Sequence, residues 1–276
     1  MALKLMYITN QPQIAQIAES SGVDRIFVDM EYIGKAERQG GLDSVQNHHT
    51  IEDIRTIKKA VQSAEVLVRV NPIHEATADY TSSKEEIDAV IHAGADVVML
   101  PYITSAGQVE DFLRYVDGRA KTMPLIETPQ SVNVIDDILS LGGIDEIYIG
   151  LNDLSLGYHR KFMFELLADG TVEELCLKSK RKGIPYGFGG IASLGKGMLP
   201  SEYIIREHYR LGSTCAILSR SFCNVEKVQH IGVISSTFID GVRAIRDLEA
   251  ECESKISYFR DNERNVTRIV QMICEG

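Results

Sequence analysis

The chain has 276 residues, with 29 Lys and Arg against 39 Asp and Glu, and its formal net charge is −10. Hydrophobic residues make up 44% and charged residues 25%, a composition typical of globular proteins that excludes a disordered or collagenous chain. The acidic balance and the scattered Lys and Arg argue against a nucleic-acid partner.

Cysteine usage and the N-terminal segment bear on the compartment. The five Cys show no CxxC spacing, which argues against a disulfide framework or a zinc knuckle. The run Met1–Asn10 lacks a basic segment and a small-residue cleavage site, and no stretch approaches the roughly 18 apolar residues of a membrane helix. We therefore expect a cytoplasmic protein with no membrane partner.

Short apolar runs alternate with longer amphipathic stretches along the chain, which predicts repeated βα units around a parallel sheet. The predicted strands are Leu3–Thr9, Arg25–Met30, Val66–Val70, Asp96–Leu100, Thr122–Ile126, Glu146–Ile149, Ile184–Phe188 and Cys215–Leu218. The predicted helices are Ile14–Ser20, Ile51–Ser63, Lys84–His92, Ala106–Val116, Val132–Ser140, Val172–Lys182 and Glu202–Leu211.

Eight strands with intervening helices predict an α/β protein of the (β/α)8 TIM-barrel type. The first βα turn contains no glycine fingerprint, so a dinucleotide-binding open sheet is disfavoured. We expect the barrel domain to span residues 1–223. The segment 224–276 is helical in pattern, and we expect it to be an extension that serves packing or oligomerisation.

Polar residues near the ends of the strands are the candidates for the functional site, because barrel sites lie at the C-terminal ends of the strands. The candidates from the second, third, fifth and sixth strands are Asp29, Glu31, Arg69, Glu127, Asn152 and Asp153. Asp29 is assigned a catalytic role, and Glu31 and Asn152 are expected to contact the substrate.

Glu127 and Asp153 follow adjacent strands, and a pair of carboxylates suits a hard divalent cation such as Mg²⁺ or Mn²⁺. The alternative is that both acids serve helix N-termini. Arg69 lies inside an apolar strand, where a charge needs a partner or a ligand. It either contacts the substrate or forms a structural ion pair with Asp29 or Glu31.

These residues carry a resemblance to a known family. Five segments of the chain occur in the order and spacing of the HpcH/HpaI aldolase and citrate lyase β-subunit family, which the chain resembles. They are DMEY from Asp29, VRVN around Arg69, GADVVMLPYI from Gly94, LIET around Glu127 and IGLNDLS around Asp153. The resemblance implies a (β/α)8 barrel that forms or cleaves carbon–carbon bonds through a pyruvate-type enolate. It also implies metal ligation by Glu127 and Asp153, and neutralisation of a substrate oxygen by Arg69.

The chain departs from the family at the position of the usual catalytic base. Tyr32 stands where the family's aldolases usually carry a His that acts as base with its Asp partner, and Leu125 stands where they often carry Gln. The loop after the second strand ends in His48 and His49, and either imidazole has a suitable pKa for a base. The alternative is that the two His cap the helix that begins near Ile51, with Thr50 as its N-cap.

The loops after the seventh and eighth strands carry residues that suit an anion. Glycines let backbone N–H groups approach a phosphate, and an Arg supplies a fork of donors. The residues expected to contact the substrate there are Gly189, Gly190, Ser219 and Arg220. The alternative is a tight turn followed by a surface Arg.

The sequence thus predicts a metal-dependent aldolase-type lyase that acts on a 2-oxo acid and an aldehyde, phosphorylated or not. One rival is a citrate-lyase-like enzyme for an acyl thioester. Another is a barrel subunit that binds metal and anion without turnover. Apolar stripes in the C-terminal helices predict a homo-oligomer.

Overall fold

The computed structural model describes residues 2–35, 48–228 and 230–275. Eight parallel strands form a closed barrel in chain order, and the last strand pairs with the first. The strands are β1 Lys4–Ile8, β2 Arg25–Asp29, β3 Glu65–Arg69, β4 Val97–Leu100, β5 Lys121–Ile126, β6 Ile147–Ile149, β7 Tyr186–Ile191 and β8 Cys215–Leu218. The predicted (β/α)8 barrel is confirmed.

Helices surround the barrel and follow the predicted order. They are α1 Pro12–Ser20, α2 Ile51–Ala60, α3 Ser83–Ala93, α4 Ala106–Val116, α5 Pro129–Asn133, α6 Ile135–Ile138, α7 Leu151–Gly157, α8 Glu165–Ala168, α9 Thr171–Arg181, α10 Ser201–Leu211, α11 Ile231–Ser254 and α12 Phe259–Glu275. A 3₁₀ turn, Ile256–Tyr258, separates the last two helices.

The apolar strands build two cores because their side chains point alternately into the barrel and toward the helices. The interior core contains Met6, Phe27, Leu67, Val97, Met99, Met123, Leu125, Tyr148 and Cys215. A larger core fills the space between the strands and the helices. A filled interior leaves the C-terminal ends of the strands as the place for a site.

Two of the differences between predicted and observed elements have a local cause. The predicted helix Val132–Ser140 is instead the pair α5 and α6, and α5 begins earlier because Thr128 caps it and Pro129 occupies its first turn. Strand β7 begins two residues later than predicted. The N–H of Ile184 donates to the carbonyl of Ser179 at 3.1 Å, so Ile184 still belongs to the turn that ends α9.

The C-terminal helices are integrated with the barrel. Helix α11 packs against α1 and α10 and so takes the place of an eighth helix around the strands. The ring of Phe238 in α11 meets Tyr7 of β1 edge to face at 4.8 Å between centroids. Within the described residues, none of the helices combines the length and apolar character needed to cross a bilayer. The domain boundary after residue 223 stays a prediction.

A buried histidine between α10 and β7 gives a prediction for acid stability. His208 is fully buried, stacks on Phe188 at 3.9 Å, and has Nδ1 2.8 Å from the Ser213 hydroxyl. Burial lowers the pKa of His208 to about 3. The unfolded chain takes up a proton at this side chain below pH about 6.5, so its stabilising contribution is lost as pH falls from about 6.5 toward about 3.

We expect His208 to account for a loss of about 2 kcal/mol in the free energy of unfolding between pH 7 and pH 5. Urea titrations of the unaltered protein and of His208→Gln would measure this, because the Gln variant has no proton to take up. His92→Gln is the matched control at an exposed helical position. An equal pH dependence in all three proteins would contradict the assignment.

Candidate active site

A cavity of about 600 Å³ opens at the C-terminal ends of the strands, where the sequence predicts the site. The predicted residues that line it are Asp29, His49, Arg69, Glu127, Asn152, Asp153, Gly189, Gly190 and Arg220. Glu31, His48 and Ser219 are outside the described lining of this cavity. Most of the predicted set therefore converges, from the ends of six different strands.

Arg69 is held by two buried acids at the end of β3. Its Nε and Nη2 donate to the two carboxylate oxygens of Asp29, both at 2.9 Å, and its Nη1 lies 3.3 Å from Glu31 Oε2. Strand pairing places Asp29 opposite Arg69 in the sheet. The ion pair that the sequence offered as an alternative is present, and Arg69 also lines the cavity.

The charges in this cluster determine its protonation states. Burial raises the pKa of the Asp29 carboxyl, but the Arg69 and Lys35 charges outweigh burial and hold that pKa well below its usual range. Burial lowers the pKa of Arg69, but the charges of Asp29 and Glu31 outweigh burial and raise that pKa above its usual value. Both groups are therefore charged in the folded protein.

Lys35 is a cavity residue that the sequence reasoning missed. Its Nζ lies 2.8 Å from Asp29 Oδ2 and 3.7 Å from Glu31 Oε2, and the residue is only 5% exposed. The sequence offered one signal, since Lys35 lies four residues after Glu31 just beyond the end of a strand. Of the predicted loop Tyr32–Thr50, residues 36–47 lie outside the described residues.

Glu127 and Asp153 line the same cavity at the ends of β5 and β6. Glu127 is buried and its Oε1 accepts the backbone N–H of Tyr102 at 2.9 Å. Asp153 lies in the first turn of α7, and its Oδ1 accepts the side-chain N–H of Asn152 at 2.9 Å. Glu127 does not serve as the N-cap of α5, because Thr128 caps that helix.

This pair fits a hard divalent cation. Burial, followed by the charges of Glu31 and Asp153, raises the pKa of Glu127 to about 8 against the opposing charge of Arg69. Burial and neighbouring acids disfavour the ionised form of a carboxyl, and a bound cation would stabilise that form. Among the described residues no cluster of three or more His, Cys, Asp or Glu forms a metal site. Two protein oxygens would thus leave coordination positions for water and substrate.

A close approach of backbone to side chain gives a prediction about the acid pair. A Cβ at Gly150 would lie 2.8 Å from Glu127 Cβ and 2.9 Å from its Oε2. Gly150→Ala is therefore expected to displace the Glu127 carboxylate and to weaken Mn²⁺ binding about 10- to 100-fold, as loss of ligand positioning does.

Isothermal titration with Mn²⁺ would measure the effect. Gly142→Ala is the matched control, because its added Cβ would meet nothing within 4 Å. Equal Mn²⁺ affinity in both variants would show that Glu127 does not hold the ion.

The two adjacent histidines have different surroundings. His48 is exposed and stacks on Tyr32 at 5.8 Å, whereas His49 is buried and lines the cavity. Thr50 is the N-cap of α2, as the capping alternative predicts. The Tyr32 hydroxyl donates to the His49 carbonyl, so the residue in the place of the family's base secures the imidazole-bearing segment.

Hydrogen bonding determines which tautomer of His49 faces the cavity. Its Nδ1 accepts the backbone N–H of Asp29 at 3.0 Å. Burial lowers the pKa of His49 despite the opposing charges of Asp29 and Asp53. A neutral ring whose Nδ1 accepts carries its proton on Nε2. In this arrangement His49 is a donor, and it can act as a base only after Nδ1 releases the amide.

The loops after β7 and β8 form another part of the cavity wall. Gly189 adopts a left-handed φ of 57°, and the Tyr148 hydroxyl donates to its carbonyl. A side chain at Gly189 would also meet Leu151 Cδ1 at 2.9 Å. Arg220 is exposed and lines the cavity, whereas Ser219 donates its N–H to the Ile191 carbonyl. Of the predicted anion contacts, both glycines and Arg220 are at the wall.

The closed eight-stranded barrel, with an acid pair at the ends of its strands, defines a TIM-barrel protein. The family model described as HpcH/HpaI aldolase/citrate lyase matches residues 4–187. The chain belongs to the HpcH/HpaI aldolase/citrate lyase family. The sequence matches no curated protein at a significant level.

Solved structures show the same fold at low sequence identity. An HpcH/HpaI aldolase from Desulfitobacterium hafniense DCB-2 is 18% identical with a TM-score of 0.60, covering 79% of this chain and 86% of its own. A Burkholderia cenocepacia J2315 protein of the aldolase/citrate lyase family is 14% identical with a TM-score of 0.59, covering 84% and 94%. Macrophomate synthase is 14% identical with a TM-score of 0.56, covering 79% and 77%.

Proposed function

We propose that this protein is a divalent-metal-dependent aldolase-type carbon–carbon lyase that acts through the enolate of a pyruvate-like 2-oxo acid. The observation that carries the proposal is the cavity in which the buried Glu127 and the half-buried Asp153 accompany the charged Arg69. A pair of acids for a cation and a fixed guanidinium suit a reaction in which negative charge develops on a substrate oxygen.

Glu127 and Asp153 would hold Mg²⁺ or Mn²⁺. Such an ion, when bound, polarises the keto oxygen of a 2-oxo acid and stabilises negative charge on it. The Arg69 guanidinium supplies a second positive charge to the same oxygen and needs no reorganisation, because Asp29 and Glu31 already hold it in place.

The apolar floor of the cavity supports this chemistry. Phe27, Met99, Leu125 and Ile217 line it beneath the charged residues. An apolar surface excludes water from the reacting carbon and strengthens the electrostatic contacts around it. The floor would therefore protect the enolate carbon while the charged groups hold its oxygen.

His49 is proposed to contact the oxygen of the acceptor half of the substrate. Replacing it by Ala is expected to lower aldol cleavage by about 10²-fold or more, the usual cost of removing one positioned donor to an oxygen that gains negative charge. His48→Ala is the neighbouring control and should cleave normally, because His48 is exposed outside the cavity. Cleavage rates of the 4-hydroxy-2-oxo acid made from pyruvate and glycolaldehyde would compare the two. Equal cleavage rates in both variants would show that His49 does not contact the reacting oxygen.

The acceptor half is proposed to be an aldehyde that Gly189, Gly190 and Arg220 contact, with a phosphate as the anionic group that suits an exposed Arg. Phosphorylated and unphosphorylated aldehydes offered to the same enzyme would separate the two classes.

We also propose a homo-oligomer, since Ile231, Val233 and Met272 of the C-terminal helices are exposed apolar residues. Light scattering would determine the number of subunits.

Deuterium exchange at the methyl group of pyruvate tests the proposed function without knowledge of the acceptor. The purified protein is incubated in D₂O with pyruvate and Mn²⁺ or Mg²⁺, and the methyl signal is followed by NMR. We expect exchange that stops when the metal is chelated. Failure to exchange with either metal would overturn the enolate chemistry and favour a thioester lyase or a non-catalytic subunit.

A further inference from the structure

Lys35 is a charged cavity residue without a role in the proposed function. It is the one lysine among the described residues that line the cavity, and it is 5% exposed. Burying a lysine is costly unless it is paired. Its Nζ donates to Asp29 Oδ2 at 2.8 Å, whereas Glu31 Oε2, at 3.7 Å, is beyond hydrogen-bond distance.

The Lys35 side chain lies against two carboxylates. Asp29 and Glu31 supply two negative charges, and Arg69 and Lys35 supply two positive ones. An ammonium group has three N–H donors, so the bond to Asp29 leaves others at the wall of the cavity.

Four other proton-bearing side chains of the cavity are less suited to deliver a proton. Arg69 keeps its protons at any physiological pH. His49 is neutral when Nδ1 accepts the Asp29 amide, so loss of its Nε2 proton would leave an imidazolate. The hydroxyl groups of Tyr7 and Tyr148 already donate to backbone carbonyls. Lys35 is a cationic donor that becomes a neutral amine when it gives up a proton.

We infer that Lys35 is the acid that protonates the enolate carbon of the 2-oxo acid, an inference that rests on the proposed function. One N–H bond of the ammonium breaks, and the electron pair of the enolate C=C forms the new C–H bond. The keto C=O is restored, and the neutral amine then takes a proton from water. No electron is gained or lost, and the reverse step removes a methyl proton from pyruvate.

The test compares pyruvate methyl exchange in the unaltered protein and in Lys35→Arg. Arginine keeps the positive charge beside Asp29 but does not release a proton. We expect exchange to fall about 10²- to 10⁴-fold, the usual contribution of a general acid or base. Mn²⁺ affinity and inhibition by oxalate, a planar mimic of the enolate, should stay unchanged. Methylamine should restore part of the exchange in Lys35→Ala.

Lys58→Arg is the matched control, because Lys58 is also ion-paired, 2.6 Å from Asp96, but lies outside the cavity lining. Full exchange in Lys35→Arg would overturn this inference and leave the proposed function intact. Loss of Mn²⁺ and oxalate binding together with exchange would show a structural role for Lys35 and also overturn the inference. Absence of exchange in the unaltered protein would overturn the proposed function and, with it, this inference.

Discussion

Replacing Glu127 by Gln is expected to abolish metal-dependent exchange of the pyruvate methyl protons, with a loss of about 10³-fold or more. Glutamine keeps the size of the side chain and a carbonyl oxygen for the Tyr102 N–H, but it removes the charge that would hold the ion. An ion that stabilises an enolate oxygen lowers the activation barrier by several kcal/mol, and losing that stabilisation slows the reaction by a factor of this size.

Three measurements separate this result from a folding defect. Exchange is followed by NMR, Mn²⁺ binding by isothermal titration, and the fold by far-UV circular dichroism. Glu52→Gln is the matched control, since its carboxylate is 70% exposed on the surface of α2. A folded Glu127→Gln protein that binds Mn²⁺ and exchanges pyruvate at the native rate would disprove the metal assignment.

The acid pair could be predicted from the sequence for the same reason that the barrel could. Buried parallel strands are continuous apolar runs, so their C-terminal ends can be located to within a residue or two. Glu127 and Asp153 follow two such ends, and a closed barrel brings those ends together. The prediction needed only local pattern and the rule that barrel sites lie at one face.

Lys35 and the two histidines could not be placed in this way. They lie on the connection between β2 and α2, whose path depends on tertiary contacts rather than on a repeating pattern. His48 and His49 are adjacent and chemically identical, yet one is exposed and the other is buried against Asp29. Only the folded backbone decides which imidazole turns toward the cavity.

Replacement of Arg69 is expected to destabilise the protein and to abolish its activity together. Arg69→Met removes the guanidinium that pairs with both buried acids, Asp29 and Glu31, and removing one member of a buried ion pair costs about 3–5 kcal/mol. The substrate oxygen also loses a fixed positive charge, so we expect exchange to fall at least about 10²-fold, as it does when one such donor is removed.

Arg25 provides a control of the same kind at the opposite end of β2. It is fully buried and ion-paired, with Nη1 2.7 Å from Glu146 and Nε 2.7 Å from Glu65, but it is outside the cavity lining. Arg25→Met should therefore lower the free energy of unfolding by a similar amount and leave the exchange rate of the folded fraction unchanged.

A Lys variant makes the comparison in a protein that keeps the charge. Arg69→Lys retains one positive charge but loses the two-pronged contact with Asp29, so it should fold better than Arg69→Met and still exchange slowly. Urea unfolding and pyruvate exchange on all three variants measure both effects. If the loss of exchange followed stability alone, and was equal for the Arg25 and Arg69 variants, Arg69 would be a structural residue and the enolate oxygen would need another partner.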